Sequence, residues 1–322
     1  MNEFELIEKL LRSLPTNESV LVGIGDDCAV LDMGLPERLL LFKTDAVVEG
    51  IHFATDAAPE KIGHKALGRC LSDIAAMAGT PTAALVTIGL PPKFDLARVV
   101  AIYAGMSALA RRYHVAIAGG ETTMNPERIV ISVALLGWVE KGRCALRSGA
   151  KAGDAIFVSG ELGGSLAGKH LEFEPRIAEA RWLAGHFPPH AMIDLSDGLA
   201  GDLRHVLKAS RVGAELLAEA IPNSRAAKEA SRSRVRESAD HPPPHVGGYK
   251  SPLLAALTDG EDFELLFTVA GADAVPLLDA WKQQFPKLHL SCIGKIVTGE
   301  GVTIRDKDGV RPLTAHGYVH FE

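Results

Sequence analysis

The sequence predicts a two-domain protein of mixed α/β and α+β layers, and three observations carry that expectation. The chain has 322 residues, long for one hydrophobic core and comfortable for two. Apolar runs of strand length alternate with helical patterns in both halves, so each half is a layered structure. The strand pattern of residues 129–139 ends in a polar, glycine-bearing stretch near 140–150, which sets the domains at 1–146 and 147–322.

The elements follow in chain order. Phe4, Leu6, Ile7, Leu10 and Leu11 recur at helical spacing and predict a short amphipathic helix over 3–14. Strands are expected at 27–33, 39–48, 83–90, 115–119 and 129–139. Between them, 59–79 opens on Pro59 and closes on Gly79-Thr80-Pro81, the punctuation of a helix, and 95–114 is helical too. After 147 come a strand at 155–158, a helix from Ser165, and helices near 174–185 and 198–210. A strand at 263–270, a helix at 273–284 and a strand at 289–297 complete the series. Residues 223–250 are rich in Ser, Arg and Ala and then turn to HPPPH and Gly-Gly. That composition reads as a flexible polyproline or disordered excursion, with a basic lid over an anionic ligand as the second reading.

Composition narrows the function classes. With 47% hydrophobic and 23% charged residues the chain has the make-up of an ordinary soluble globular protein. A net charge of −6 argues against a nucleic-acid partner, and a phosphate ligand would need metal ions or backbone amides for its positive field. Cys28, Cys70, Cys144 and Cys292 are far apart, so buried thiols are expected rather than disulfides or a zinc site. The first residues lack a signal-peptide pattern and no apolar stretch approaches bilayer-crossing length. A cytoplasmic protein without a membrane partner is the expectation.

Acidic residues recur beside glycines and inside apolar runs: 26-DD-27, Asp45 within 44-TDAVVEGIHF-53, Asp73, 119-GGETT-123, 193-IDLSDGLAGDL-203 and 259-DGEDFELL-266. Any one of them could be a capped turn. Buried acids must be paired, and too few Lys or Arg stand near these in sequence. Several Mg2+ ions would pair them, because that ion takes hard oxygen ligands and bridges to substrate phosphates. The stretch 163-GGSLAGKH-170 approaches a P-loop, but His170 stands where the metal-binding hydroxyl belongs, so a glycine-rich turn into a helix is expected there. Glu264 and Asp202 read as surface charges.

Taken together, GIGDDCAVL, TDAVVEGIHF, LSDIAAMAGTP, AGGETT, RSGAKAGD, IDLSDGLAGDL and DGEDFELLFT resemble the signature blocks of the thiamine-monophosphate kinase family, in that family's order and across nearly the whole chain. The resemblance implies a two-domain aminoimidazole ribonucleotide synthetase-like fold. Its N-terminal domain would bind ATP and form a homodimer through its sheet, and its C-terminal α/β domain would complete the site. It implies ATP-dependent phosphorylation of thiamine monophosphate with several Mg2+ ions, and it admits K+. By match to the family motifs, Asp27, Thr44, Asp45, Asp73, Asp194 and Asp197 hold metal, and Asp45, Asp73, Asp194 and Asp197 carry the catalysis. Asp26 is a supporting acid, and Glu121 stands at a further metal position where the family usually has Asp. Gly120, Glu121, Arg147 and Ser196 meet the nucleotide; His52, Glu261 and Tyr318 meet the thiamine phosphate. Lys43 replaces the Ser or Thr common before Thr-Asp. An ammonium cannot ligate a metal, so it either replaces one ion's charge or points away.

The expected chemistry needs no general base, because a phosphate monoester with a second pKa of about 6 is largely ionised at neutral pH. Positioning two polyanions and neutralising their repulsion is the task. Three other readings stay open: another ATP-dependent synthetase of the superfamily, a catalytically silent nucleotide-binding relative, and a metal-dependent phosphohydrolase.

Overall fold

A computed structural model describes residues 6, 7, 9, 10, 14–233 and 251–318. The expected helix over 3–14 lies mostly outside the described residues, as do 234–250 of the basic excursion. The chain divides into two compact units, one of Pro15–Ala145 with His170–His186, the other including Leu146–Lys169 and Phe187–Glu322. The stretch 170–186 thus groups with the first unit although it follows residue 147 in sequence.

The first unit holds a six-stranded sheet with strand order β1-β2-β3-β6-β4-β5. The strands are β1 (Val20–Val22), β2 (Ala29–Leu31), β3 (Arg38–Val48), β4 (Thr80–Leu90), β5 (Ala116–Met124) and β6 (Val130–Glu140). Helix α1 (Pro59–Ala76) links β3 to β4, and α2 (Leu96–Arg112) makes the crossover between the parallel pair β4 and β5. Period-two alternation sorts the two sheet faces. Leu41, Val47, Val133, Leu135, Val86 and Ile88 are buried on one face, whereas Phe42, Leu136 and Leu85 are exposed on the other. Helix α1 begins with Pro at its first turn, where the missing amide is harmless. It ends at Ala76, and two residues on Ala78, with φ +56°, turns the chain into β4. Helix α3 (Ile177–His186) comes from the returning stretch.

The second unit holds a seven-stranded sheet, β13-β12-β9-β11-β7-β10-β8. Its members are β7 (Ala155–Ser159), β8 (Ala191–Asp194), β9 (Gly213–Leu217), β10 (Leu265–Val269), β11 (Leu290–Val297), β12 (Val302–Asp306) and β13 (Gly309–Pro312). Every residue of β7 and β10 is buried, as expected of central strands covered on both faces. On one face Ile156, Val158 and Leu266 pack with Leu199, Leu203 and Val206 of α4 (Leu199–Ser210). On the other, the rings of Phe157 and Phe267 stack at 5.6 Å. Phe267 in turn meets Trp281 of α7 (Ala274–Gln284).

The layered α/β reading holds, with differences in detail. No α-helix starts at Ser165; that stretch makes two short 3-10 turns, Ser165–Ala167 and Lys169–Leu171. The front of the expected excursion is α5 (Arg225–Ser233), and Pro252–Thr258 forms α6. Ser224 starts α5 by accepting the Ala227 amide on Oγ at 3.0 Å, and Ala227 is buried. No described helix is long and apolar enough to cross a membrane.

Candidate active site

In the first unit the acids gather where β3 passes α1. Gly25, with φ +121°, leads the chain into Asp26 and Asp27. Asp26 stays half-buried and accepts the Asp27 amide on Oδ1 at 3.1 Å. Asp27 is buried, and one of its carboxylate oxygens lies within 4.8 Å of one from Asp73, near the end of α1. Lys43 of β3 places Nζ 3.0 Å from Asp73 Oδ1. Two residues on, and so on the same strand face, Asp45 Oδ2 lies 3.5 Å from Nε of Arg69, one helical turn before Asp73. Arg69 also donates to the Ala46 carbonyl at 3.0 Å.

The electrostatics follow from that packing. Burial pulls the Lys43 ammonium toward neutrality, but the charges of Asp73 and Asp45 outweigh it, so its pKa is raised and the cation is kept. Cys28 and Cys70 are buried beside the same acids. Burial pushes both thiols well up, and neighbouring carboxylates add to it. Both are therefore inert protonated thiols, and all four cysteines are free.

Thr44 and Glu121 are placed elsewhere. Thr44, between Lys43 and Asp45, projects to the open face, with Oγ1 3.4 Å from Ser132 Oγ. Glu121 sits exposed on the edge strand β5, opposite Thr87, which is opposite Ser132, which is opposite Ala46. Three strand spacings, roughly 14 Å, separate it from β3, so its carboxylate does not join the Asp45–Asp73 group. Gly120 is required by space: a Cβ there would lie 1.8 Å from the Val86 carbonyl oxygen, at φ +151°. His52 follows β3 in a turn, accepting the Val48 amide on Nδ1 at 3.1 Å. Its carbonyl takes the buried Lys65 ammonium at 2.6 Å. With Nδ1 an acceptor, neutral His52 carries its proton on Nε2.

In the second unit two loops and the chain's last described residues meet. Leu195 donates its amide to the Glu264 carbonyl and accepts that of Phe263, both at 2.8 Å, and Glu261 donates its own to Ser196 at 2.7 Å. Glu261 and Phe263 hold positive φ values of +57° and +50°, at a cost of about 1 kcal/mol or more each. The Tyr318 amide reaches the Asp197 carbonyl at 2.8 Å. Ser196, Asp197, Glu261 and Tyr318 are thus brought together just beyond Asp194, the last residue of β8.

Sequence reasoning missed two acids here. Asp202, in the first turn of α4, is 2% exposed and accepts the Asp197 amide on Oδ2 at 3.0 Å. Burial pushes its carboxyl well up, Asp197 and Asp194 push it further, and Arg147 opposes them. Asp194, Asp197, Asp202 and Arg147 therefore form one electrostatic group. Glu264 is 1% exposed, bound by Lys169 Nζ and Ser159 Oγ, both at 2.8 Å. Its position between apolar residues was the available signal, since a buried acid demands a cation.

The same loop settles the fate of the P-loop-like stretch. Gly163 donates its amide to both oxygens of Asp262 at 3.0 Å, Gly164 donates to Asp259 at 2.7 Å, and Lys169 is held by Glu264. The groups that would cradle a phosphate are bound to carboxylates, so this is a structural turn.

Comparison with known proteins agrees with this architecture. Residues 25–139 match the family model "AIR synthase related protein, N-terminal domain". The chain is 39% identical to the thiamine-monophosphate kinase of Rhodopirellula baltica, over 97% of this chain and 94% of that protein. It is 34% identical to that of Bacillus subtilis, with both chains covered in full. A solved structure, AaThiL complexed with AMPPCP and TMP, is 31% identical, covers 99% of this chain and 97% of its own, and superposes with a TM-score of 0.81. The chain belongs to the thiamine-monophosphate kinase family.

Proposed function

We propose that the protein transfers the γ-phosphoryl group of ATP to a phosphate oxygen of thiamine monophosphate, giving thiamine diphosphate and ADP. The observation that carries the reading is the full-length likeness to a kinase structure holding a nucleotide analogue and TMP. In the reaction the acceptor oxygen forms a bond to the γ-phosphorus while the bond from that phosphorus to the β,γ-bridging oxygen breaks. The acceptor is already ionised near neutral pH, so no residue has to remove a proton.

The buried carboxylates of Asp27 and Asp73, hard oxygen donors close together, suit Mg2+. We assign Asp27, Asp45 and Asp73 in one unit, and Asp194 and Asp197 in the other, to holding Mg2+, with Asp26 supporting Asp27 through its amide. Bound Mg2+ would neutralise the triphosphate and the charge developing in transfer. Arg147, Ser196 and the bare backbone at Gly120 are assigned to the nucleotide. His52, whose Nε2–H can donate to an anion, is assigned to the thiamine phosphate with Glu261 and Tyr318.

The open face of the six-stranded sheet, with Phe42, Leu85 and Leu136 exposed, supports a homodimer formed sheet to sheet. A coupled assay of ADP release with thiamine monophosphate and Mg2+, beside a control without acceptor, tests the activity. Acceptor-dependent ADP is expected. ADP release without acceptor, or none at all, would overturn the reading.

A further inference from the structure

Lys43 stands against the carboxylate expected to take a metal ion. Its Nζ is 3.0 Å from Asp73 Oδ1, its side chain is 23% exposed and that of Asp73 8%. Asp45, on the same strand face, is faced by Arg69. A buried ion pair of this kind holds its geometry, because breaking it strands a charge away from water. An ammonium 3.0 Å from a carboxylate oxygen occupies the direction from which that oxygen would meet a cation.

We infer that the Lys43 ammonium serves as a built-in cation at Asp73, taking the place of one divalent ion, so that each protomer binds its nucleotide with one fewer metal than it would with a neutral residue at position 43. This rests on the proposed kinase reading and deepens it. The gain is preorganisation: the charge is covalently attached and present before nucleotide arrives, and the ion it replaces need not be captured from solution. The limit is equally physical, since an ammonium donates hydrogen bonds and cannot bridge a carboxylate to a phosphate as Mg2+ does. Asp27 lies beside Asp73, with carboxylate oxygens of the two within 4.8 Å, so the remaining ions have acids to bridge from.

The test counts Mn2+ and AMPPCP per protomer by equilibrium dialysis with elemental analysis, in the full chain and in Lys43→Met, Lys43→Thr and Lys43→Arg. We expect the Met and Thr variants to bind one more Mn2+ per nucleotide than the parent, and the Arg variant to match the parent. If Met does not fold, Thr carries the same reading. Equal metal counts in all four proteins, with nucleotide bound, would overturn the inference and leave the kinase reading standing. No nucleotide bound by the parent would overturn both.

Discussion

Asp262 is 1% exposed, and burial pushes its carboxyl up to about 7 despite the opposing Lys169 charge and the hydrogen bonds from Ser165 and Gly163. In the unfolded chain an aspartate titrates near 3.9. Between those values the native state holds more protons than the unfolded state, so stability falls as pH rises through the window and levels off above about 7. The contribution is up to about 4 kcal/mol. Asp202, raised by burial as well, acts with the same sign, so the comparison that isolates Asp262 is with Asp262→Asn, which can still accept the Gly163 amide. Urea midpoints measured from pH 5 to 8 should fall less in the variant. Parallel profiles would refute the assignment. Asp73→Asn probes the other acid group: it keeps an oxygen for Lys43 but loses the charge that attracts a cation. A drop in ADP release of roughly two orders of magnitude or more is expected, with the far-ultraviolet circular dichroism unchanged; parental rates would remove Asp73 from the machinery. The acids flanked by glycine were legible because a carboxylate in an apolar run must have a reason. Glu264 lies in such a run too, but its cation could not be read there, because Lys169 stands 95 positions away, and Asp202 reads as an ordinary acid in the first turn of a helix.

Helices α1 and α2 approach so closely that each is bare at the crossing. A Cβ on Gly63 would lie 1.9 Å from the Ile102 carbonyl oxygen, and one on Gly105 would lie 1.9 Å from that of Glu60. In a helix interior Gly→Ala ordinarily stabilises by up to about 1 kcal/mol. Here the clash with backbone dominates, because overpacking costs about 1–3 kcal/mol or more. Gly105→Ala should therefore lower the urea midpoint. Gly185→Ala on α3, where the nearest atom is the Arg143 side chain at 3.9 Å, should raise it slightly. Equal signs would show that the crossing can relax. The elements themselves were legible in proportion to length. The 11-residue strands β3, β4 and β6 show their alternation plainly, and the proline and glycine punctuation marks α1. Strands β7 and β10, of 5 residues each, show as continuous apolar runs, whereas β8, β9, β12 and β13, of 4 or 5 residues, show neither a run nor a period, and tertiary pairing defines them. The 3-10 turns after Gly164 were unreadable for another reason. Carboxylates from the 259–264 loop hold that backbone, and local sequence says nothing of them.

At the scale of the whole molecule, the proposed homodimer would form through the open sheet face. Phe42 is paired with Leu136 across β3 and β6, and Leu85 lies opposite Ala134, which faces Thr44. Small residues therefore flank three exposed apolar side chains, so a second sheet could approach to the ordinary packing distance of about 10 Å. A stable interface of standard size buries about 800 Å² on each partner, and large apolar anchors near its centre contribute most of the affinity. With 40 acidic against 34 basic residues, two copies repel weakly, and the apolar contact has to overcome that repulsion. Leu85→Lys puts two like charges into the centre of such an interface while leaving the buried face of β4 untouched. Sedimentation velocity should show the parent as a dimer and Leu85→Lys as a monomer with unchanged circular dichroism. A monomeric parent, or a variant that remains dimeric, would mean that this sheet face is not where copies of the chain meet.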